Sequence, residues 1–421
     1  MKNKNAVVTI VANNYLGFAL TLCNSLKNNE NLDIYLLIAD GLKNEIDYSV
    51  YPYKFIDVKE LNIERMEELA FKYDVVEFST SLKPFALEYL MNKGNYEKVF
   101  YIDPDICFFD TFDTVLNDLG NHSVMLTPHL TDPTIGLGNS QFERVCLING
   151  SFNLGFIGFN NNSEAHAILR WWQERLLEFC YNDEKYFTDQ KWVNLIPTLF
   201  EDVYICRKKI YNFAEWNFYE RNLIEEENKY YIIDHGEKIR LCFAHFSGYK
   251  ATDPIEFLNK ESIVVDEKAK KPIISLFGYY KSQLELNDFK KYSKIMYCYS
   301  TYDNGIAIME IHRRLYRKLL ERGYQIVHPF STKENSFYEL LKKNSLIIHE
   351  TNTKNTVFDN SQASKKSGLI QKMNGIMRLV MHMVGIKRYC MLIRYFCHYC
   401  TVDDQLFLLK GISDKEKIIG E

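Results

Sequence analysis

The sequence predicts an α/β protein in which a mixed, mainly parallel sheet is flanked by helices, with a mainly helical extension after it. Residues 6–12 and 34–39 are continuous apolar runs separated by a helical pattern. A strand, a helix and a second strand within about forty residues form a βαβ unit, which implies parallel strands. Beyond about residue 254, apolar residues recur mainly at helical spacing.

The chain has 421 residues, which is more than one ordinary hydrophobic core holds. We predict a main α/β domain over residues 1–255, a mainly helical extension over 256–360 and basic amphipathic helices over 361–421. The content of 47% hydrophobic and 25% charged residues is typical of a soluble globular protein. The apolar stretch near the N-terminus is too short for a signal peptide or a membrane span, so we expect a cytoplasmic protein.

Two acids interrupt the apolar, aromatic run of residues 98–109, namely Asp103 and Asp105. Residues two apart on an extended backbone point to the same side, and Pro104 favours an extended conformation of Asp103. Two like charges that converge call for a cation, and an oxygen-rich site suits Mg²⁺ or Mn²⁺. The alternative is a strand that has ended, with both acids in a solvated turn.

Polar residues also follow the first predicted strand, where Asn13 and Asn14 lie between Ala12 and Tyr15. Ligands of parallel sheets bind beyond the carboxyl ends of the strands, so these residues are candidates for ligand contacts. The sequence contains neither G-x-G-x-x-G nor G-x-x-x-x-G-K. It therefore supports neither a dinucleotide-binding fold nor a P-loop.

Two basic or titratable positions are candidates for contacts with a phosphate or a metal. Lys83 precedes Pro84 at a predicted helix start, where it is either a phosphate contact or a solvated lysine. His245 ends an apolar strand and is either a metal ligand or a hydrogen-bonded core residue. Gly248 and Lys250 follow it in a loop that could close over a diphosphate.

A strand interrupted by glycines carries Asn153, and glycine inside a strand marks a close approach by another group. Before it, residues 128–145 are predicted to form a long polar loop with the length of a substrate loop. After it, Asp189 is either a plain helix cap or a functional residue at the start of a helix that carries Gln190.

Taken in order, these motifs resemble those of the GT-A glycosyltransferases, and most closely those related to glycosyltransferase family 8. The resemblance covers about residues 5–255. The acid pair is similar to that family's metal-binding Asp-x-Asp motif, and residues 152–159 are similar to its Phe-Asn-x-Gly strand. Residues 189–194 resemble its Asp-Gln-x-x-x-Asn segment, and residues 245–248 resemble its His-x-x-Gly loop.

The resemblance implies transfer of a hexosyl-type group from a nucleotide sugar, a UDP-sugar by preference, to a glycan, lipid-linked or protein acceptor with retention of configuration. It implies Mn²⁺ or Mg²⁺ held by Asp103, Asp105 and His245, because the family's loop histidine is a third metal ligand. Asp189 and Gln190 would be the catalytic residues on the other face of the sugar. The residues implied to contact the nucleotide sugar are Ala12, Asn13, Asn14, Tyr15, Lys83, Asp103, Pro104, Asp105, Asn153, Gly248 and Lys250.

Three positions depart from the family's pattern. Lys250 falls five residues after the histidine, where the family usually has six. Lys83 stands where an arginine is typical, and Asn13 with Asn14 replaces a more acidic nucleotide-binding segment.

Two other functions are alternatives to glycosyl transfer. A haloacid-dehalogenase-like phosphohydrolase also has a hydrophobic strand that ends in Asp-x-Asp, but it usually carries this element on its first strand. Here the element follows a complete βαβ unit. A non-catalytic sugar-binding protein is the third hypothesis, and it predicts that Asp105→Asn leaves function intact.

The C-terminal residues 361–400 contain no Asp or Glu and seven Lys or Arg residues. Their helical, amphipathic pattern indicates either a surface for an anionic membrane at the inner face of the cell membrane, or a pair of helices docked on a neighbouring domain or subunit. The net charge of −4 argues against general nucleic-acid binding. The sequence leaves the oligomeric state open.

Overall fold

The structure is a computed structural model that describes residues 3–136, 140–182, 187–259, 265, 267–348, 367–399, 402–412 and 417–420. The chain divides into two compact units. The first unit comprises Met1–Glu64 and Val75–Tyr297, and the second comprises Arg65–Asp74 and Cys298–Glu421.

A seven-stranded sheet forms the centre of the first unit, in the order β3-β2-β1-β4-β7-β6-β8. Within this sheet β7 runs antiparallel to both of its neighbours, and the other pairings are parallel. The predicted fold class, a mixed and mainly parallel sheet flanked by helices, is confirmed. The strands of the described chain are β1 (Asn5–Val11), β2 (Leu32–Ile38), β3 (Lys54–Asp57), β4 (Lys98–Ile102), β5 (Ile106–Phe108), β6 (Val124–Pro128), β7 (Phe152–Asn160), β8 (Val203–Ile205), β9 (Asn222–Glu226), β10 (Lys229–Asp234), β11 (Glu237–Arg240), β12 (Phe243–His245), β13 (Gln325–Ile326) and β14 (Ile418–Ile419).

Helices flank the sheet of the first unit, and others are the longest elements in the described part of the second unit. Of these, α2 and α13 to α16 belong to the second unit. The helices are α1 (Leu16–Leu26), α2 (Met66–Lys72), α3 (Val75–Ser81), α4 (Lys83–Gly94), α5 (Asp113–Leu119), α6 (Gln141–Asn149), α7 (Ser163–Glu178), α8 (Gln190–Val193), α9 (Ile196–Leu199), α10 (Pro254–Leu258), α11 (Glu267–Leu286), α12 (Phe289–Tyr292), α13 (Glu310–Glu321), α14 (Phe337–Lys343), α15 (Ser367–Val384) and α16 (Ile386–Tyr399).

The parallel pairing of β1 with β4 determines where the site lies. Val8 is paired with Tyr101, so the chain leaves both strands at the same edge of the sheet. Both strands are buried along nearly their whole length, which is why they appear in the sequence as continuous apolar runs rather than alternating ones. The polar residues that follow them are thereby brought together.

Most predicted elements near the site agree with the structure, and one does not. The predicted βαβ unit corresponds to β1, α1 and β2, and α4 begins with Pro84 in its first turn as predicted. The predicted loop over residues 128–145 is wrong over its last five residues, because α6 begins at Gln141. The mixture of polar and apolar residues in α6 conceals its helical period.

The second unit is held together by an apolar cluster and by buried arginines of α13, of which Arg313 is one. Leu315, Leu319 and Phe337 belong to this cluster. Arg313 on α13 donates hydrogen bonds to the carbonyl oxygens of Ala70, Phe71, Tyr73 and Tyr299 at 2.6–3.0 Å. Four carbonyl acceptors offset the cost of burying its charge.

The helices α10, α11 and α12 lie in the first unit, which runs to Tyr297. The predicted boundaries at residues 255 and 360 stay predictions about independent domains. Among the described residues, no helix combines the length and the apolar character that crossing a bilayer requires.

Close packing of α1 against α12 generates a stability prediction. A Cβ atom on Gly17 would lie 2.5 Å from the Cα of Phe289, a contact that only a backbone shift relieves. We expect Gly17→Ala to lower the free energy of unfolding by about 1–3 kcal/mol, measured as a lower urea midpoint. The matched control is Gly278→Ala on α11, where a Cβ meets nothing within 4 Å. It should leave the midpoint unchanged or raise it, since alanine favours helix, and equal midpoints for both variants would contradict this packing.

Candidate active site

The cluster of Asp103, Asp105 and His245 is assembled by two strand pairings. The backbone N–H of Asp103 donates to the Gly155 carbonyl at 2.7 Å, which fixes the end of β4 against β7. The antiparallel pairing of β5 with β12 sets His245 opposite Ile106, the residue after Asp105. His245 Nε2 thus lies 3.1 Å from Asp105 Oδ1 and 3.9 Å from Asp103 Oδ2.

The three side chains are electrostatically coupled. Burial alone would lower the pKa of His245, but the charge and hydrogen bond of Asp105, with Asp103 adding to them, raise that pKa above its ordinary value. Burial alone would raise the pKa of Asp105, whereas the charge of His245 brings it below its ordinary value. The cluster therefore favours positive charge between its carboxylates.

His245 is oriented from behind by two amides. Its Nδ1 lies 3.1 Å from Asn153 Oδ1 and 3.2 Å from Asn212 Oδ1. Because both neighbours are acceptor oxygens in these contacts, Nδ1 carries the hydrogen and the lone pair of neutral His245 is on Nε2, toward the carboxylates. A Cβ atom on Gly155 would lie 2.5 Å from the His245 ring, so glycine is required there for this approach.

The donor set fits a divalent cation. One ligand atom from each of Asp103, Asp105 and His245 lies within 4.8 Å of the others. Two carboxylates and an imidazole held through its second nitrogen form a ligand set typical of Mn²⁺ or Mg²⁺ with open positions. These are the three residues predicted to be metal ligands; that they bind a cation, and which one, stays a prediction.

Lys83 lies in a buried ion pair. Its Nζ is 3.0 Å from Asp189 Oδ2 and 3.8 Å from Asp103 Oδ1, and it donates to the Leu154 carbonyl at 2.9 Å. The side chains of Lys83 and Asp189 are only 5% and 2% exposed. Burial opposes its charge, but Asp189 and Asp103 hold the pKa of Lys83 above its ordinary value. Lys83 therefore links Asp189 to Asp103. It also lines the neighbouring cavity.

Asp189 is a buried carboxyl with two partners. It accepts a hydrogen bond from the Thr188 hydroxyl at 3.1 Å and is paired with Lys83. Burial raises its pKa above the ordinary value in spite of the nearby ammonium. The helix-cap interpretation is not supported, because its side chain makes no capping hydrogen bond to α8.

A cavity of about 480 Å³ opens over this cluster. Of the residues predicted to contact a nucleotide sugar, Ala12, Asn14 and Tyr15 line it together with the acid pair, Lys83 and Asn153. The Asn14 side chain makes no hydrogen bond to any residue that the structure describes. The other lining residues include Ile10, Val11, Val75, Val76, Ser79, Thr80, Tyr101, Pro104, Leu154, Gly155, Phe187, Thr188, Asp189, Gln190, His245 and Ser247.

Asn13 has a different position from Asn14. It is fully buried, and its side-chain nitrogen donates to Asp40 Oδ1 at 2.7 Å and to the Gly41 carbonyl at 2.9 Å. Its side-chain oxygen accepts from the Tyr48 hydroxyl. Asn13 therefore shapes the turn after β1, and it is not among the residues that line the cavity.

Asn153 lies between the cluster of Asp103, Asp105 and His245 and a second cavity. Its Oδ1 accepts from the Gly155 N–H and faces His245, while its Nδ2 lies 3.3 Å from His129 Nε2 and 3.4 Å from Gln190 Oε1. Burial lowers the pKa of His129 to about 4, so this imidazole accepts as a neutral group at pH 7. Both the oxygen and the nitrogen of the Asn153 amide thus have protein partners.

Gln190 is also engaged with the backbone. Its Oε1 accepts from the Leu154 N–H at 3.2 Å, and its Nε2 donates to the Asn149 carbonyl at 3.0 Å. These contacts fix the position of the amide between the two cavities. The second cavity, of about 310 Å³, has Asn153, Phe187, Gln190 and Ser247 in common with the first.

The loop after β12 carries the two remaining predicted contacts. Gly248 has a φ of +66°, a left-handed conformation that favours glycine. Lys250 is exposed, and neither residue is among those that line the two cavities.

Sequence reasoning missed four groups near the cluster. The Tyr101 hydroxyl donates to Asp103, Asn212 orients His245, and His129 and Trp216 border the second cavity. Only Tyr101 had a detectable signal, because it lies two residues before Asp103 and therefore on the same face of the strand. The other three reach the site through long-range packing.

Comparisons with known proteins add the following. No family model matches the chain. It is 26% identical over 258 residues to the uncharacterized protein YfnD of Bacillus subtilis (strain 168), a match that covers 59% of this chain and 79% of YfnD.

Solved structures similar to this one include three glycosyltransferases. The galactosyltransferase LgtC, crystallised with donor and acceptor sugar analogs, is 14% identical, with 66% of this chain and 95% of that chain covered and a TM-score of 0.41. GlyE of Streptococcus pneumoniae TIGR4 is 17% identical, with coverages of 71% and 67% and a TM-score of 0.39. Mouse xyloside xylosyltransferase 1 is 10% identical, with coverages of 59% and 98% and a TM-score of 0.35.

The buried pair of Lys83 and Asp189 generates a prediction. Lys83→Met leaves a buried carboxyl without its cation, so we expect a loss of about 3–5 kcal/mol in the free energy of unfolding, measured by urea titration. Adding Asp189→Asn should recover a large part of this loss, because no unpaired charge then remains. The control on the same helix is Lys93→Met, whose exposed pair with Glu60 should not matter measurably. Equal losses in the single and double variants would contradict the ion pair.

Proposed function

We propose that this protein is a metal-dependent glycosyltransferase of the kind related to glycosyltransferase family 8. It transfers a hexosyl-type group from a nucleotide sugar, a UDP-sugar by preference, to a glycan, lipid-linked or protein acceptor with retention of configuration. The observation that carries the proposal is the convergence of Asp103, Asp105 and His245 beside a cavity of about 480 Å³. The resemblance of four motifs in the family's order, the acid pair among them, supports it.

In this proposal, Asp103, Asp105 and His245 hold Mn²⁺ or Mg²⁺. The bound cation supplies neutralisation of the charge that develops on the diphosphate leaving group. Tyr101 and Lys83 contact Asp103, while Asn153 and Asn212 orient His245. These four groups keep the ligand atoms in position, which is how surrounding residues strengthen a metal site.

Asp189 and Gln190 act on the sugar. Both line the cavity of about 480 Å³, which we call the donor cavity. A carboxylate or amide oxygen on the opposite face of the sugar ring stabilises the positive character that develops on the ring. Lys83 holds the Asp189 carboxylate in place, and two backbone groups hold the Gln190 amide. Preorganised groups of this kind lower the barrier because they need not reorient during the reaction.

The nucleotide part of the donor is bound at the end of β1. Ala12, Asn14 and Tyr15 line the cavity there, and the unengaged Asn14 amide is suited to hydrogen-bond a base or ribose. Lys250, exposed on the loop that Gly248 permits, supplies positive charge for the diphosphate. Asn13, which does not line the cavity, supports this turn through Asp40.

The two other hypotheses receive less support. A haloacid-dehalogenase-like enzyme usually carries its Asp-x-Asp after the first strand, whereas here the pair follows β4. A non-catalytic sugar-binding protein has no need for two partly buried carboxylates that converge on one point with a buried histidine.

The metal site is tested by nucleotide release. With Mn²⁺ and a panel of nucleotide sugars, we expect the protein to hydrolyse or transfer from one donor, with release abolished by a chelator. Asp105→Asn should reduce release by about two orders of magnitude, because the cation loses a charged ligand. The control Asp113→Asn removes an exposed carboxylate at the start of α5 and should change nothing.

If no donor is hydrolysed or bound, and Asp103→Ala changes nothing, the transferase proposal is overturned. If a donor binds but Asp105→Asn behaves like the unchanged protein, the sugar-binding hypothesis is the better one.

We propose further that α15 and α16 bind an anionic membrane at the inner face of the cell membrane, where a cytoplasmic enzyme would meet a lipid-linked acceptor. Met373, Ile376 and Met383 of α15 are more than half exposed, as are Ile386 and Met391 of α16. No Asp or Glu lies in either helix, and Arg388 and Arg394 are among their basic residues. This combination fits an interfacial helix pair.

Flotation with vesicles tests the tail. We expect the protein to float with phosphatidylserine-containing vesicles and to sediment with neutral ones. Arg388→Glu with Arg394→Glu should abolish flotation, and Lys342→Glu with Lys343→Glu on α14 is the control. Point variants are preferable to deletion of residues 361–421, because Leu406 and Leu409 belong to the core of the second unit. Equal flotation of both double variants would overturn the membrane proposal.

A further inference from the structure

The second cavity shares its boundary with the donor cavity. The side chain of Ser247 lines both cavities, and its hydroxyl makes no hydrogen bond to any residue that the structure describes. Asn153 and Gln190 separate the two spaces. A ligand in the second cavity would therefore lie next to a ligand in the first.

The far wall of the second cavity is apolar. Phe142, Val145 and Cys146 of α6 face Trp216, with Leu130 beside them. The Phe142 ring is stacked on Tyr219 at 3.8 Å between ring centroids, which holds this part of the wall rigid. Trp216 stands edge-on to the rings of both His129 and His245 at 5.3 Å.

The charges of the residues that line the second cavity indicate which chemical groups can occupy it. Among the described residues that line the second cavity there is no Lys or Arg, and Glu215 is the acidic one. His129 is neutral at pH 7 because burial lowers its pKa to about 4. A phosphate in this cavity would have no cationic partner, so the part of the acceptor that enters it is uncharged.

The apolar wall continues onto the surface of α6. Val145 lines the cavity and is 45% exposed, and Ile148, one turn later on the same side, is 57% exposed. Leu147 is 76% exposed beside them. Exposed aliphatic side chains on a helix that borders a cavity mark a surface for an apolar ligand.

We propose that the acceptor carries an apolar aglycone, alkyl, acyl or aryl, which lies on Val145 and Ile148 while its accepting hydroxyl reaches Ser247. The inference rests on the proposed function and names the acceptor class for it. It predicts that an acceptor that consists of carbohydrate alone binds more weakly, because such a ligand leaves the exposed aliphatic side chains of α6 unused.

The test compares n-octyl and methyl β-D-glucopyranoside by calorimetry, below the micelle concentration of the octyl compound, with Mn²⁺ and UDP present. Each fully buried methylene contributes a factor of roughly 4 in affinity. We therefore expect the octyl glycoside to bind at least about tenfold tighter than the methyl one. Val145→Ser with Ile148→Ser should reduce this ratio toward 1. Phenyl β-D-glucopyranoside distinguishes an aryl from an alkyl aglycone.

Two controls make the test decisive. Met383→Ser on α15 removes an exposed methionine elsewhere, and the ratio should stay unchanged in it. Equal binding of octyl and methyl glycosides, or a ratio that falls with Met383→Ser rather than with the α6 variant, overturns the inference. Donor hydrolysis by the unchanged protein is measured alongside, so that loss of the proposed function is distinguished from loss of the apolar acceptor site.

Discussion

The repulsion between the Asp103 and Asp105 carboxylates is the constraint on which the site depends. Both follow one buried strand, and both therefore need positive charge close by. Lys83 supplies it from α4 at 3.8 Å from Asp103, and His245 supplies it from β12 at 3.1 Å from Asp105. The pairing of β5 with β12 is thus as important for the site as the central sheet, because it brings in the group farthest away along the chain.

Asn153 has a central role that follows from its hydrogen bonds. It faces His245 with its oxygen, and His129 and Gln190 with its nitrogen, so one amide sets the orientation of groups in both cavities. A change in the occupant of the second cavity can reach the metal ligand through this single side chain. In the proposed enzyme, this side chain would couple acceptor binding to the position of His245.

The sequence suggests that Lys83 contacts a phosphate, and its buried pair with Asp189 changes this interpretation. A lysine at a helix start was expected to meet an anion, and the anion it meets is the protein's own carboxylate. The same ammonium also stabilises the Asp103 carboxylate. Replacement of the arginine typical of family 8 by lysine is compatible with this role, since a compact cation fits between two carboxylates and a carbonyl.

The sequence by itself determined the α/β class, the βαβ unit and the convergence of Asp103 with Asp105, because hydrophobic period and strand alternation are local properties of the chain. Its motif order also pointed to His245. Only the tertiary structure decided that Asn13 turns inward to Asp40, that Gln190 is bound by backbone, and that α6 forms an apolar wall. These outcomes depend on which side chains meet across elements far apart in the chain, and local spacing carries no record of such contacts.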